Sequence, residues 1–76
     1  MYKVGDIVEL REKNNPHNGQ RGVVTRVTPT DVSFEGFECN VYNASYMGPW
    51  GNTPGSVAHA IFKVVRKVDR YLEIML

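Results

Sequence analysis

A chain of 76 residues has room for one domain around one core, and at this size folding buries only about 60% of the surface the unfolded chain exposes. With 42% hydrophobic and 22% charged residues, the composition is that of a soluble globular domain and not of a disordered tail. A net charge of +1 excludes a strongly basic polyanion binder overall, and no apolar run approaches the ~20 residues of a membrane span.

Residues 2–12, YKVGDIVELRE, open on a Gly5-Asp6 turn and then alternate. Val8 and Leu10 fall on one face, Ile7, Glu9 and Arg11 on the other, and this period of two predicts a strand. The loop that follows, KNNPHNG over 13–19, is dense in turn formers, and RGVVTRVT over 21–28 reads as a second strand. Pro29-Thr30-Asp31 turns the chain into DVSFE, where Val32 and Phe34 point inward. Glu35-Gly36 then predicts a tight hairpin into a fourth strand, FECNVY over 37–42, with Phe37, Cys39 and Val41 on one side.

Residues 43–56, NASYMGPWGNTPGS, have no periodicity, and their glycines and prolines exclude a central strand or helix. They carry Tyr46, Met47 and Trp50, which are costly to leave in water unless they fold over the core or meet a partner. The last segment allows two readings. A helix capped by Ser56 would gather Val57, Ile61, Val64, Val65, Val68, Leu72 and Met75 into one stripe, whereas IFKVV is rich in strand formers. A closing strand over 61–67 followed by an apolar tail is the favoured expectation, with four strands and a C-terminal amphipathic helix as the alternative.

The glycine pair at 19 and 22 poses a choice between a phosphate cradle and a bend. Gly19-Gln20-Arg21-Gly22 lacks the Gly-Lys-Ser/Thr ending of a P-loop and the G-x-G-x-x-G of a dinucleotide site, and it runs into a predicted strand instead of a helix. A bend that lets a small sheet curl is therefore the expectation. With VGDIVEL before it and NGQRGVVTRV around it, this part of the chain resembles the KOW motif of ribosomal proteins and transcription elongation factors, through Gly5, Val8, Gly19, Gly22, Val24 and Val27. The resemblance covers about a third of the sequence. It implies a single SH3-like barrel of about five strands over 1–76, mostly β, that binds RNA or protein through its loops. Small bacteriophage proteins that inhibit host factors use similar barrels.

Catalysis and metal binding find little support. Cys39 has no second cysteine, and His17 and His59 lack ligand spacing, so neither zinc nor an internal disulfide is expected. No nucleophile, base and orienting group stand at a telling spacing, so the expectation is a non-enzyme without metal or cofactor. Its reading as a cytoplasmic chain beginning at Met1 follows from the single cysteine and from the absence of a signal-like segment.

Charge is unevenly spread. Lys3, Arg11, Lys13, Arg21 and Arg26 lie before residue 27, none of the 36 residues from Val27 to Phe62 is Lys or Arg, and Lys63, Arg66, Lys67 and Arg70 follow. The acidic middle, with Asp31, Glu35 and Glu38, would repel phosphate. The first functional expectation is therefore a module or inhibitor that engages a host or cellular protein through Tyr42, Tyr46, Met47 and Trp50. The second is an RNA or DNA surface assembled from both ends of the chain: Lys13, Arg21, Arg26, Lys63, Arg66 and Lys67. A third is an oligomer that sequesters a small nucleotide by stacking on Tyr46 or Trp50 with a cation from Arg21 or Arg26. Self-association through the tail, Leu72, Ile74, Met75 and Leu76, would supply the oligomer.

Overall fold

The computed structural model describes residues 1–67. Five strands, β1 (Ile7–Leu10), β2 (Arg21–Val27), β3 (Asp31–Glu35), β4 (Ser45–Met47) and β5 (Phe62–Arg66), make one antiparallel sheet in the order β4-β3-β2-β1-β5. A short helix, α1 (Val57–Ile61), leads directly into β5. The fold is mostly β, as the alternating patterns predict. Val8, Leu10, Val24, Val32, Phe34 and Phe62 all point to the inner face, each at most 1% exposed. Breaks in register at Ile7/Val8 and between Val24 and Arg26 curl the sheet around them.

The expected barrel does not close through hydrogen bonds: among the described residues, β4 and β5 are unpaired edges. Side chains bridge the gap. The ring of Phe62 on β5 lies 4.8 Å from that of Phe34 and 5.8 Å from that of Tyr46 on β4.

Two segments depart from the sequence reading. FECNVY is not a strand. Gly36 takes φ +90°, and the Asn43 side chain accepts from the Phe37 amide at 2.7 Å and donates to its carbonyl at 2.8 Å. That amide side chain supplies the bonds a neighbouring strand would have given, so the chain loops and forms a 3-10 turn at Asn40–Tyr42. Phe37 stays in the core at 4% exposure, Cys39 is half-buried, and Val41 stands out at 67%. The aperiodic stretch in turn contains β4. It is three residues long and at the sheet edge, so the Gly48-Pro49 that follows interrupts no central ladder.

The C-terminal ambiguity resolves into both elements in succession. Ser56 caps α1 by accepting from the His59 amide at 3.3 Å. The last helical bond runs from the Phe62 amide to the Ala58 carbonyl, and beyond it the backbone bonds to other segments. The buried Tyr2 phenol lies 2.7 Å from the Ala58 oxygen and 2.6 Å from that of Phe62, and the Arg11 amide donates to Ile61 at 2.7 Å. The continuous amphipathic helix is thus excluded up to Arg66, where β5 pairs with β1. The stripe positions Val68, Leu72 and Met75, Arg70 and the expected self-association of the tail lie outside the described residues.

Gly22 sits on β2 itself, with a strand and no helix behind it. A Cβ there would overlap the ring of Phe37 and come within 2.9 Å of the Glu35 carbonyl. The glycine therefore gives Phe37 a flat piece of backbone to lie on. Gly22→Ala is expected to cost about 1–3 kcal/mol through overpacking, a drop of several degrees in Tm measured by thermal unfolding. An unchanged Tm would contradict this role.

The N-terminus is locked by a second cluster. Asn52, 2% exposed, accepts from the Tyr2 amide at 3.0 Å and from Nε2 of His59 at 3.2 Å, and the His59 ring stacks on Tyr2 at 4.2 Å. Burial, then the N-terminal amine and Lys63, hold the His59 pKa below its usual 6.5. The folded state therefore takes up this proton less readily than the unfolded chain. Stability carried by neutral His59 is fully present above pH 6.5 and is lost as pH falls from there toward the folded value. Thermal unfolding between pH 7.5 and 5.5 is expected to show this slope in the native chain and a flatter one in His59→Gln; equal slopes would remove His59 as its source.

Candidate functional site

The most conspicuous surface lies where the loop before β4 and the turn after it meet the core. Tyr42 ends the 3-10 turn at Asn40–Tyr42 and packs on Phe37 at 5.7 Å and Phe62 at 5.8 Å. Tyr46, on β4 opposite Val32, shares the inner face and leans on Phe34 at 5.8 Å. Trp50 ends a second 3-10 turn, Gly48–Trp50, and lies over Tyr46 at 5.8 Å with the rings 30° apart. Three of the four expected partner-binding residues thus form one aromatic ledge, the outermost layer of the core. Met47 does not join it. Side chains alternate along a strand, so Met47, paired with Asp31, projects from the opposite face of β4 and is 69% exposed.

The ledge is tied down by polar contacts at its rim. Asn15 Nδ2 donates to the Tyr42 phenol oxygen at 2.9 Å, and the Tyr46 hydroxyl donates to the Val41 carbonyl at 2.9 Å. Burial, and after it Tyr42 and Cys39, push the Tyr46 pKa up, so the Tyr46 phenol serves as a neutral hydrogen-bonding group. Behind Tyr42, Asn15 also donates to Glu12 Oε1 at 3.1 Å, the His17 ring stands edge-on at 6.0 Å, and Gln20 links His17 to the Cys39 amide. Trp50 differs from its neighbours. It is 36% exposed, and its indole N–H meets no acceptor among the described residues.

The segment carrying Trp50 is anchored at the residues just after it. Gly51 packs so closely on Thr30, in the β2–β3 turn, that a Cβ would overlap the Thr30 carbonyl. Ser56 Oγ donates to the Gly51 carbonyl at 2.7 Å, and Asn52 holds the N-terminus. The aromatic types were legible in the sequence; these anchors were not, because Gly51, Asn52 and Ser56 look like ordinary turn residues until Thr30 and Tyr2 arrive from distant positions. Gly51→Ala is expected to part this contact, lowering Tm by several degrees and shifting the emission of Trp50, the sole tryptophan, to the red. An unmoved emission maximum would show that the anchor does not position the ledge.

The basic candidates are distributed differently. Pairing sets Arg21 and Lys63 on either side of Glu9, in one row across β2, β1 and β5, and sets Arg66 opposite Ile7. Basic residues of β2 and β5 are therefore brought together on the outer face. Glu9 accepts from Arg11 at 3.0 Å and Arg21 at 3.1 Å, and these bonds hold its carboxyl below the usual range. Lys63 donates to the His59 carbonyl at 3.0 Å, and Lys67 is exposed beyond the end of β5. Arg26 is apart from the row, 3.3 Å from Asp31, whose other oxygen accepts from Thr28. Lys13 lines an open cleft of about 530 Å³ with Glu9, Arg11, Glu12 and Asn18.

Among the described residues, no three His, Cys, Asp or Glu side chains converge as a metal site would require, and no helix is long and apolar enough to cross a membrane. Compared with family profiles, with characterised proteins and with solved structures, the chain matches none.

Proposed function

We propose that the chain is a non-catalytic binding module that captures a host or cellular protein through the aromatic ledge of Tyr42, Tyr46 and Trp50. The observation that carries this reading is the state of Trp50: stacked on a fixed ring, a third exposed, with a free donor among the described residues. A stationary amphipathic ring loses little freedom on binding, which is why Trp and Tyr dominate interface energetics. Exposed Val41 borders the ledge through its carbonyl bond to Tyr46 and extends the apolar area.

A nucleic-acid reading draws on the row of Lys63 and Arg21 beside Glu9, with Arg66 further along. It is the weaker of the two. Single-stranded nucleic acid needs stacking platforms and cations on one surface, whereas here the aromatics lie at the inner-face edge and the cations on the outer face. The KOW-like, SH3-like assignment of residues 4–27 remains part of this proposal; in its favour is the loop that returns through Gly19 into Gly22 on β2.

Affinity capture with tagged protein, compared across variants, tests the choice. Trp50→Ala, which removes an exposed ring, is expected to keep Tm within a few degrees while reducing captured protein at least tenfold, and nuclease treatment should leave the wild-type capture intact. Capture that survives Trp50→Ala but disappears with Arg21→Glu or with nuclease would favour the outer face instead.

A further inference from the structure

We infer that the segment the ledge receives is cationic: an exposed stretch of a partner protein bearing Lys or Arg. This rests on the proposed use of the ledge for protein capture and adds the chemistry of the partner.

Charge is separated on the molecule. Residues 38–50, which build the ledge and its borders, contain no Lys or Arg and carry the exposed Glu38 next to Cys39, the residue that caps the turn bearing Tyr42. On the other side of Tyr42, Asn15 bridges the phenol oxygen to Glu12. Neither Glu12 nor Glu38 has a cationic partner among the described residues; the ion pairs there join Glu9 to Arg11 and Arg21, and Asp31 to Arg26. Lys13, exposed and in the same cleft as Glu12, offsets that carboxylate, whereas no Lys or Arg lies beside Glu38 in the sequence. Arg26 is bound to Asp31, which sits opposite Met47 and so on the face away from Tyr46 and Trp50.

The ring faces add to this charge. Aromatic π-systems present negative potential at their faces and attract Lys and Arg, Trp most strongly. A partner cation on the exposed face of Trp50 would meet that potential on a segment whose one charged residue, Glu38, is acidic, while an acidic peptide or a phosphate backbone would meet repulsion. Electrostatic complementarity of this kind selects partners and speeds encounter.

Trp50, as the sole tryptophan, reports on the site directly. The full chain is titrated with an alternating Lys-Arg-Ala decapeptide, its Glu-substituted counterpart and a uridine decamer, following Trp50 emission. The expected result is a saturable change with the cationic peptide alone, weakening severalfold as salt rises from 20 to about 150 mM, a range over which surface charges become screened. Glu38→Gln should weaken binding about two- to fivefold, the range of an exposed ion pair. Glu35→Gln makes the same change in net charge at the exposed end of β3, opposite Val23, and should leave binding unchanged. The inference is overturned if the acidic peptide or the uridine decamer moves Trp50 as strongly as the cationic one, if the two Glu variants behave alike, or if Trp50 emission changes on self-dilution, which would make a second copy the occupant. Protein capture that depends on Trp50 with no cationic preference would overturn this inference alone; capture indifferent to Trp50→Ala would overturn the reading beneath it.

Discussion

The ring of Phe62 sits where every part of the structure meets. It packs on Phe34 from the middle of the sheet, on Phe37 from the loop after β3, and on Tyr42 and Tyr46 from the ledge. Because β4 and β5 do not pair, no ladder of hydrogen bonds joins the two edges of the sheet among the described residues. This aromatic contact does so instead. Full burial of one such ring stabilises by about 1.5–3 kcal/mol, and edge-to-face pairs add roughly 0.5–1.5 kcal/mol, a large share of the margin available to a domain this small.

One consequence is that core and recognition surface are a single aromatic stack read at different depths. Phe62 and Phe34 are its dry interior, Tyr42 and Tyr46 its half-buried middle, and Trp50 its wet end. The ledge inherits its rigidity from the core, and its second support is the anchor of Gly51 on Thr30 and of Asn52 on Tyr2. The basic residues take no part in this stack. β1 and β5 alternate, so Leu10 and Phe62 face the core while Glu9 and Lys63 face out, and the cations gather on the surface the aromatics leave free.

How far the sequence disclosed this depends on the range of the forces involved. Strands β1, β2 and β3 were legible because a buried face imposes period two on neighbouring residues such as Val8 and Leu10 or Val32 and Phe34. The helix start was legible at Ser56, since capping is local. Its end was not, because the groups that meet it there, Tyr2 and the Arg11 amide, come from the distant N-terminal part of the chain. The strand expected at FECNVY fails for the same reason in reverse: its alternation is genuine, but Asn43 closes on Phe37 before any strand can pair with it. Of the four expected partner-binding residues, Tyr42, Tyr46 and Trp50 converge. Met47 is separated from them by the pleat, a parity that could be assigned only once β4 was recognised as a strand.

Phe62 holds the ledge on the core in addition to the pairing of β4 with β3. Two-dimensional NMR of Phe62→Leu against the native chain addresses this role, since leucine keeps the apolar volume near enough to preserve folding and removes the ring. Large chemical-shift changes and faster amide exchange are expected over residues 37–50, including the Trp50 indole, with the amides shared by β1, β2 and β3 remaining protected. A spectrum in which the Trp50 indole and the 37–50 amides do not move, or one in which the whole sheet loses protection together, would contradict it.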